Sequence, residues 1–471
     1  MRIPSLLLAL TILSLGLLPA QVAKNMSLVG QLSYGNNELS DVWGYVDSSG
    51  TEYALVGTYF GLSIVSLADP ANPIEVDFIP GAGTIWRDMK TWSHYGYVSN
   101  EGGNGLLIVD LSTLPGQVAH KDTVIGGMNT IHNIWIDEQG YLYTAGSNTF
   151  SGGVAVLDLI SDPWRPRLED TYELTYVHDL YVRNRIGYTG EIYEGRLGIV
   201  DFDGVNGPEV MGSTTYIDGF THNTWLNDAG DVCFTTDELS AAYIYAWDVS
   251  DPTDIRQLDR IRSPLSGGTT IPHNVHVKDD FLVISYYRDG VYVVDAARPH
   301  NLIEVGYYDT SPRQGSGFNG AWGAYPFLPS GLVLASDIEE GLFVLQPNYP
   351  RACYLEGVVR DSVSLVPLGQ VEIMVSGGDM DTQTATDGSF AVGTVDSGTY
   401  TATFSRYGYV SKTLTVNLQN GQLTDLEVLL EPTPRVNLDL TVRDARSEDP
   451  LPQVTVIAEP QGVDLSFDYE T

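Results

Sequence analysis

The chain has 471 residues, enough for two or three domains, and 43% of them are apolar, so sizeable cores can be buried. Its 60 acidic and 24 basic residues leave a formal net charge of −36, which repels nucleic acid and anionic membrane and argues against both as partners. The two cysteines, Cys233 and Cys353, fall in different predicted domains, which excludes a disulfide framework and a cysteine metal cluster.

The N-terminus reads as an export signal over residues 1–20. Met1-Arg2 carries a positive charge, Leu6 to Leu18 is apolar, and Pro19-Ala20 offers a small-residue cleavage point. The apolar run is too short for a good membrane span, and no other stretch qualifies.

From residue 25 to residue 348 one short phrase recurs seven times. The copies are Gly61-Leu-Ser-Ile-Val-Ser-Leu, Gly105-Leu-Leu-Ile-Val-Asp-Leu, Gly153-Val-Ala-Val-Leu-Asp-Leu, Arg196-Leu-Gly-Ile-Val-Asp-Phe, Tyr243-Ile-Tyr-Ala-Trp-Asp-Val, Gly290-Val-Tyr-Val-Val-Asp-Ala and Gly341-Leu-Phe-Val-Leu-Gln-Pro. Starts lie 43 to 51 residues apart, the period of a propeller blade, so seven copies predict seven blades. The third repeat predicts four antiparallel strands, at Ile131 to Asp137, Tyr141 to Gly146, Gly153 to Leu159 and Arg167 to Leu174. Its third strand is almost wholly apolar, as a strand covered by neighbours on both faces must be. Turns such as Asp69-Pro-Ala-Asn-Pro and Asp162-Pro-Trp-Arg-Pro break pairing before each fourth strand. The seventh copy runs into Pro347 without a fourth strand. Ser27 to Tyr34 supplies one at the other end of the chain, so the ring is expected to close on its own N-terminus.

The first strands carry a second repeat: Ser40-Asp41, Arg87-Asp88, His132-Asn133, His178-Asp179, His222-Asn223, His273-Asn274 and Asn319-Gly320. Two residues after each pair stands Trp43, Lys90, Trp135, Tyr181, Trp225, His276 or Trp322. First strands line the channel of a propeller, so His132, His178, His222 and His273 are expected on one arc at its mouth, with Asp41, Asp88 and Asp179 nearby. Imidazole and carboxylate suit a divalent transition metal, and imidazole also suits acid–base work near neutrality. The competing reading is structural, with the polar residue tying one blade to the next and the aromatic packing between them. Repetition favours ties over catalysis, since catalysis needs distinct groups. No cofactor is assigned, and a divalent metal ion is the candidate. There is no Gly-x-Ser-x-Gly, His-Glu-x-x-His or phosphate loop.

After Cys353 the texture changes to short strands every eight to twelve residues, predicting a small β-sandwich over 352–432. A second copy starts near Arg435. Arg360-Asp361, Pro367-Leu368 and Gln370-Val371 recur as Arg443-Asp444, Pro450-Leu451 and Gln453-Val454, each 83 residues later. The segment 435–471 is too short for a whole copy, so the natural product is expected to continue.

The Leu-Leu-Ile-Val-Asp phrase, the Asp-Pro turns and the His-Asn pairs together resemble the LVIVD-repeat propellers of the choice-of-anchor B family. The resemblance covers residues 25–348. It implies a secreted or surface-held bacterial protein and transfers no catalytic residue. Thr386-Asp-Gly-Ser-Phe, Gly398-Thr-Tyr and Tyr407-Gly-Tyr resemble a carboxypeptidase regulatory-like domain, which implies a transthyretin-like spacer or docking sandwich. The expectation is an all-β, exported, non-enzymatic binding or adhesion protein. Its propeller would meet an extracellular protein or glycan ligand, on sandwich spacers. Two alternatives stand beside it. One is a lactonase-like metal-dependent hydrolase at the channel mouth. The other is a carbohydrate-binding surface protein using Tyr400, Tyr407 and Tyr409.

Overall fold

The computed structural model describes residues 22–377, 380–434 and 440–455, so the expected signal peptide lies outside the described residues. Seven antiparallel sheets, six of four strands and one of five, follow one another as blades around a channel. Blade 3 is typical, with strands Asn133–Ile136, Tyr141–Ala145, Val154–Asp158 and Arg167–Tyr172. The third strand is buried by the adjoining blades, and the polar fourth strand lies on the outer rim. The aspartate ending the repeated phrase has a local cause. Its Oδ1 accepts from the N–H two residues on, as in Asp110 to Ser112, Asp158 to Ile160, Asp201 to Asp203, Asp248 to Ser250 and Asp295 to Ala297. A short carboxylate thus satisfies the turn that leads to the fourth strand.

Blade 7 comprises Ala321–Tyr325, Val333–Asp337 and Gly341–Pro347, and Met26–Leu32 completes it as the outer strand, as the sequence predicts. Register runs from Met26 opposite Pro347 to Leu32 opposite Leu342. The same register shift interrupts the third-to-fourth pairing of blades 1, 3, 4, 5 and 6, and it recurs here between Leu28 and Gly30. A bulge at that place turns the outer strand, so the N-terminal segment reproduces a fourth strand in detail. Ala23–Lys24 adds a contact the sequence did not announce. It pairs with Ile303–Tyr308 as a fifth strand on blade 6. The closing segment therefore spans two blades.

The C-terminal sandwich packs two sheets. One orders Ser389–Thr394, Cys353–Asp361, Leu423–Pro432 and Tyr409–Val410. The other orders Thr382–Gln383, Glu372–Val375, Gly398–Ser405 and Lys412–Leu418. Leu355, Ile373, Phe390, Phe404 and Val428 lie in its core. Cys233 and Cys353 are separate buried thiols. The 83-residue repeat is visible in atoms as well. Arg360 bridges Pro367 and Arg443 bridges Pro450. Asp361 Oδ1 accepts from Val363 and Ser364 N–H, and Asp444 Oδ1 accepts from Arg446 and Ser447.

The sandwich sits on blade 6. Arg298 makes a bidentate pair with Glu356, both contacts 2.6 Å, and Asn301 and His300 reach the same carboxylate. Asp295 accepts from Arg351 Nη1, Ala352 N and the Tyr354 hydroxyl. Acid is expected to loosen this contact. Burial alone would raise the Glu356 carboxyl, but hydrogen bonds from Arg298, Asn301 and His300 outweigh it and hold the pKa at about 2. A depressed carboxyl contributes fully above its unfolded value near ~4.3, and the contribution is lost as pH falls through the folded value. Melting temperatures of wild type should therefore drop more steeply below about pH 4 than those of Glu356→Gln. Equal slopes would remove Glu356 as the cause.

Candidate functional site at the channel mouth

Register fixes which residues are equivalent on the seven first strands. Thr221 faces Asp237 as Leu39 faces Thr58 and Ala321 faces Asp337. The residues that follow are His222-Asn223, Ser40-Asp41 and Trp322-Gly323. The sequence spacing had pointed to Asn319-Gly320 for blade 7, and the structure corrects this by three residues. The longer loop before blade 7 absorbs the difference. Gly323 has no side chain because Asp41 Oδ1 occupies the place, 2.1 Å from where a Cβ would stand.

Three tiers result. At the mouth the histidines lie ring against ring. Centroids are 4.1 Å apart for His132–His178, 4.2 Å for His178–His222 and 4.7 Å for His222–His273, and Trp322 follows at 5.0 Å. They line a cavity of about 20 Å³ together with Asp41, Asp88 and Trp86, room for one water or ion but not for an organic molecule. One step down, Asp41, Asp88, Asp179, Asn133, Asn223 and Asn274 line a second small cavity with Lys90. Here the blades are tied. Asp88 Oδ2 accepts from Ile134 N, Asn223 Oδ1 accepts from Val275 N, and Asn223 Nδ2 donates to Asp179 Oδ2. Deeper still, aromatic rings fill the channel. Trp43 packs on Tyr325 at 4.7 Å, Trp135 on Tyr181 at 4.7 Å and on Trp225 at 4.9 Å, and Trp225 on His276 at 4.7 Å. Tyr325, not Trp322, is the blade 7 member of that plug. Lys90 enters it with Nζ 2.5 Å from Asp88 Oδ1 and 4.4 Å from the Trp43 ring centre.

The structure thus gathers all seven sequence-derived residues in two adjoining layers, with the histidines and Asp179 in different ones. It also adds residues from outside the two repeated phrases, at one position just after the second strands. Glu238 Oε2 lies 3.5 Å from His222 Nε2, and Glu238 Oε1 lies 3.7 Å from His273 Nε2. The Tyr287 hydroxyl donates to Glu238 Oε1 at 2.6 Å. Glu101 meets His132 Nδ1 at 2.5 Å. Glu101 and Glu238 come from loops after second strands, and only aligning those loops blade by blade would have drawn attention to them. His273 Nδ1 points at the Trp322 carbonyl at 2.6 Å, and a carbonyl can only accept, so Nδ1 carries the proton and neutral Nε2 keeps its lone pair toward Glu238.

Burial sets the charges. It drives His178 and His222 well below the usual imidazole range, and neighbouring imidazoles add to the shift. His273 falls to about 3 through burial, against the favourable Trp322 carbonyl. Burial lifts Glu238 to about 7, partly offset by the Tyr287 hydrogen bond. Asp41 rises well above the carboxylate range through burial and then Asp88. His178, His222 and His273 are therefore neutral imidazoles at physiological pH rather than cations.

Antiparallel alternation puts the mouth on the face formed by second-to-third and interblade loops. That face exposes Phe60 (56%), Trp86 (45%), Tyr193 (74%) and Phe318 (60%). Phe318 contacts Tyr287, which contacts His273, and Tyr193 contacts Tyr176, which contacts His178. The sandwich binds blade 6 through Asp279, Asp295, Arg298 and Asn301, on turns of the opposite face. The sandwich itself offers little aromatic surface. The Tyr409 hydroxyl donates to Asp361 and the Tyr400 hydroxyl to the Asp396 carbonyl, both rings flank the core, and Tyr407 alone of the three is exposed.

Residues 355–439 match the CarboxypepD_reg-like domain family. Domains of this family are typical of extracellular or cell-surface proteins. The β-propeller domain of Cps50 (Swd1) from Myceliophteria thermophila superimposes with a TM-score of 0.47 at 12% identity, over 69% of this chain and 100% of that one. No curated protein matches the chain. Among the described residues no helix is long and apolar enough to cross a membrane. A propeller joined to a CarboxypepD_reg-like domain fits a surface or binding protein.

Proposed function

We propose that this is an exported bacterial binding protein of the LVIVD-repeat, choice-of-anchor B type. Its histidine-bearing face receives an extracellular ligand, while the sandwich holds the opposite face. One observation carries the reading: the exposed aromatics surround the mouth, and the sandwich docks away from them. Aromatic side chains supply rigid contact area at little entropic cost, the pattern of a recognition surface. The aromatic plug and the 20 Å³ cavity keep an organic ligand outside, on the rim. The hydrolase reading retains one support, because two imidazoles and a carboxylate are the ligand set of some catalytic zinc sites.

An array of extracellular proteins and glycans separates the readings. The full chain should bind a member that the triple variant Phe60→Ser, Trp86→Ser, Phe318→Ser binds at least about tenfold more weakly, a loss of 1.4 kcal/mol or more. Changes at Ile160 and Val205 on the other face should leave binding intact. Full binding by the triple variant would refute the rim as the contact surface. Turnover of an ester or lactone panel that disappears in His222→Ala would establish the hydrolase instead.

A further inference from the structure

We infer that His222, His273 and Glu238 hold one divalent transition-metal ion of the zinc type at the channel mouth. The three ligand atoms lie within 4.8 Å of one another. A tetrahedral ion with bonds of about 2.1 Å spaces its ligands about 3.4 Å apart. The two imidazole–carboxylate separations, 3.5 Å from His222 Nε2 to Oε2 and 3.7 Å from His273 Nε2 to Oε1, stand near that length, each to its own oxygen of Glu238.

The donors are prepared as metal ligands usually are. The Trp322 carbonyl fixes the His273 tautomer and turns its lone pair inward. The Tyr287 hydroxyl orients the Glu238 carboxylate. Such outer partners hold ligands in place in metal centres generally. Without an ion, Nε2 of His273 and Oε1 of the ionised Glu238 are two acceptors facing each other across 3.7 Å, and His222 Nδ1 is buried with no hydrogen-bond partner. A cation between the ring nitrogens and the carboxylate resolves the first of these conflicts. Two neutral imidazoles and one carboxylate select zinc, cobalt, nickel or copper over calcium and magnesium, which prefer oxygen alone. The adjoining cavity has room for a single water as the fourth ligand. The net charge of −36 raises the local concentration of any divalent cation.

This inference stands apart from the ligand-binding reading, because a rim can bind its ligand with or without the ion. The test is titration of zinc chloride into chelator-stripped full-length protein, followed by calorimetry and elemental analysis. One equivalent should bind. Glu238→Gln, which preserves size, should weaken binding by more than about 100-fold, and Tyr287→Phe by about tenfold. His132→Ala should leave stoichiometry and affinity unchanged, since that ring pairs with Glu101. The cobalt-substituted protein should show the intense visible bands of a four-coordinate centre. Absence of saturable zinc binding would overturn the assignment. So would undiminished affinity in Glu238→Gln, an equal loss in His132→Ala, or the weak spectrum of octahedral cobalt. If His222→Ala or His273→Ala fails to fold, Glu238→Gln and Tyr287→Phe still decide the matter.

Discussion

A chain lacking residues 22–34 is expected not to form a stable propeller. Met26–Leu32 is the outer strand of blade 7, and Ala23–Lys24 extends blade 6. Without them two neighbouring edges are bare, and the Gly341–Pro347 strand, buried along most of its length, faces solvent. Met26 also leaves a cluster that includes Val293, Ile303, Phe343 and Leu345. The combined loss should exceed about 5 kcal/mol, the lower end of the stability of a whole domain. Purified truncated protein should aggregate or melt without cooperativity. A synthetic peptide of residues 22–34, added in trans, should pair with the open edge and restore a cooperative transition. A truncated chain that melts within about 3 °C of the full one would show that the ring closes without the strand.

That closure was legible because the repeat is dictated by burial. A third strand covered on both faces must be apolar, and its aspartate must close the following turn, so the phrase recurs wherever the geometry does. The absent fourth strand after Gly341 then demanded a substitute, and Ser27 to Tyr34 matched. Ala23–Lys24 could not be read the same way, since two residues carry no periodicity. The blade 7 slip has a related cause. Asn319-Gly320 sits at the expected spacing, but the interblade loop is longer there, and only strand register shows that Trp322-Gly323 holds the equivalent place.

The site divided along the same line. The four histidines were visible as an arc because each occupies one repeated position. Which repeated residues tie the blades and which only gather at the mouth was not visible, because both kinds recur. In atoms the division is clear: Asp88 and Asn223 bind backbone N–H groups of the next blade, while the histidine rings gather at the mouth. Glu101, Glu238 and Tyr287 share one loop position just after the second strands of blades 2, 5 and 6, and blades 3, 4 and 7 carry other residue types there. The groups that make the mouth chemically distinctive are therefore the ones that break the pattern.

Lys90 breaks it too, and Lys90→Met is expected to cost about 3 kcal/mol at neutral pH. Lys90 takes the place held by Trp43, Trp135, Tyr181 and Trp225 in other blades, and it is 7% exposed. Its ammonium compensates Asp88 and lies near Asp41 and Asp179 in one enclosed layer. It also rests on the Trp43 and Trp135 faces. Methionine keeps most of the stem and removes the charge, leaving Asp88 buried without its cation. A carboxyl raised in the folded state destabilises at high pH, and protonation relieves this as pH falls through the folded value. Burial, partly offset by Asn223, places Asp179 at about 6, and Asp41 lies well above its usual range. The deficit of Lys90→Met, measured by urea unfolding, should therefore shrink between about pH 8 and about pH 5. A deficit constant over that interval would assign it to lost packing on the tryptophans. Pairing Lys90→Met with Asp88→Asn removes the stranded charge, so the double variant should recover part of the loss. A double variant no more stable than Lys90→Met alone would show that the ion pair is not what Lys90 contributes.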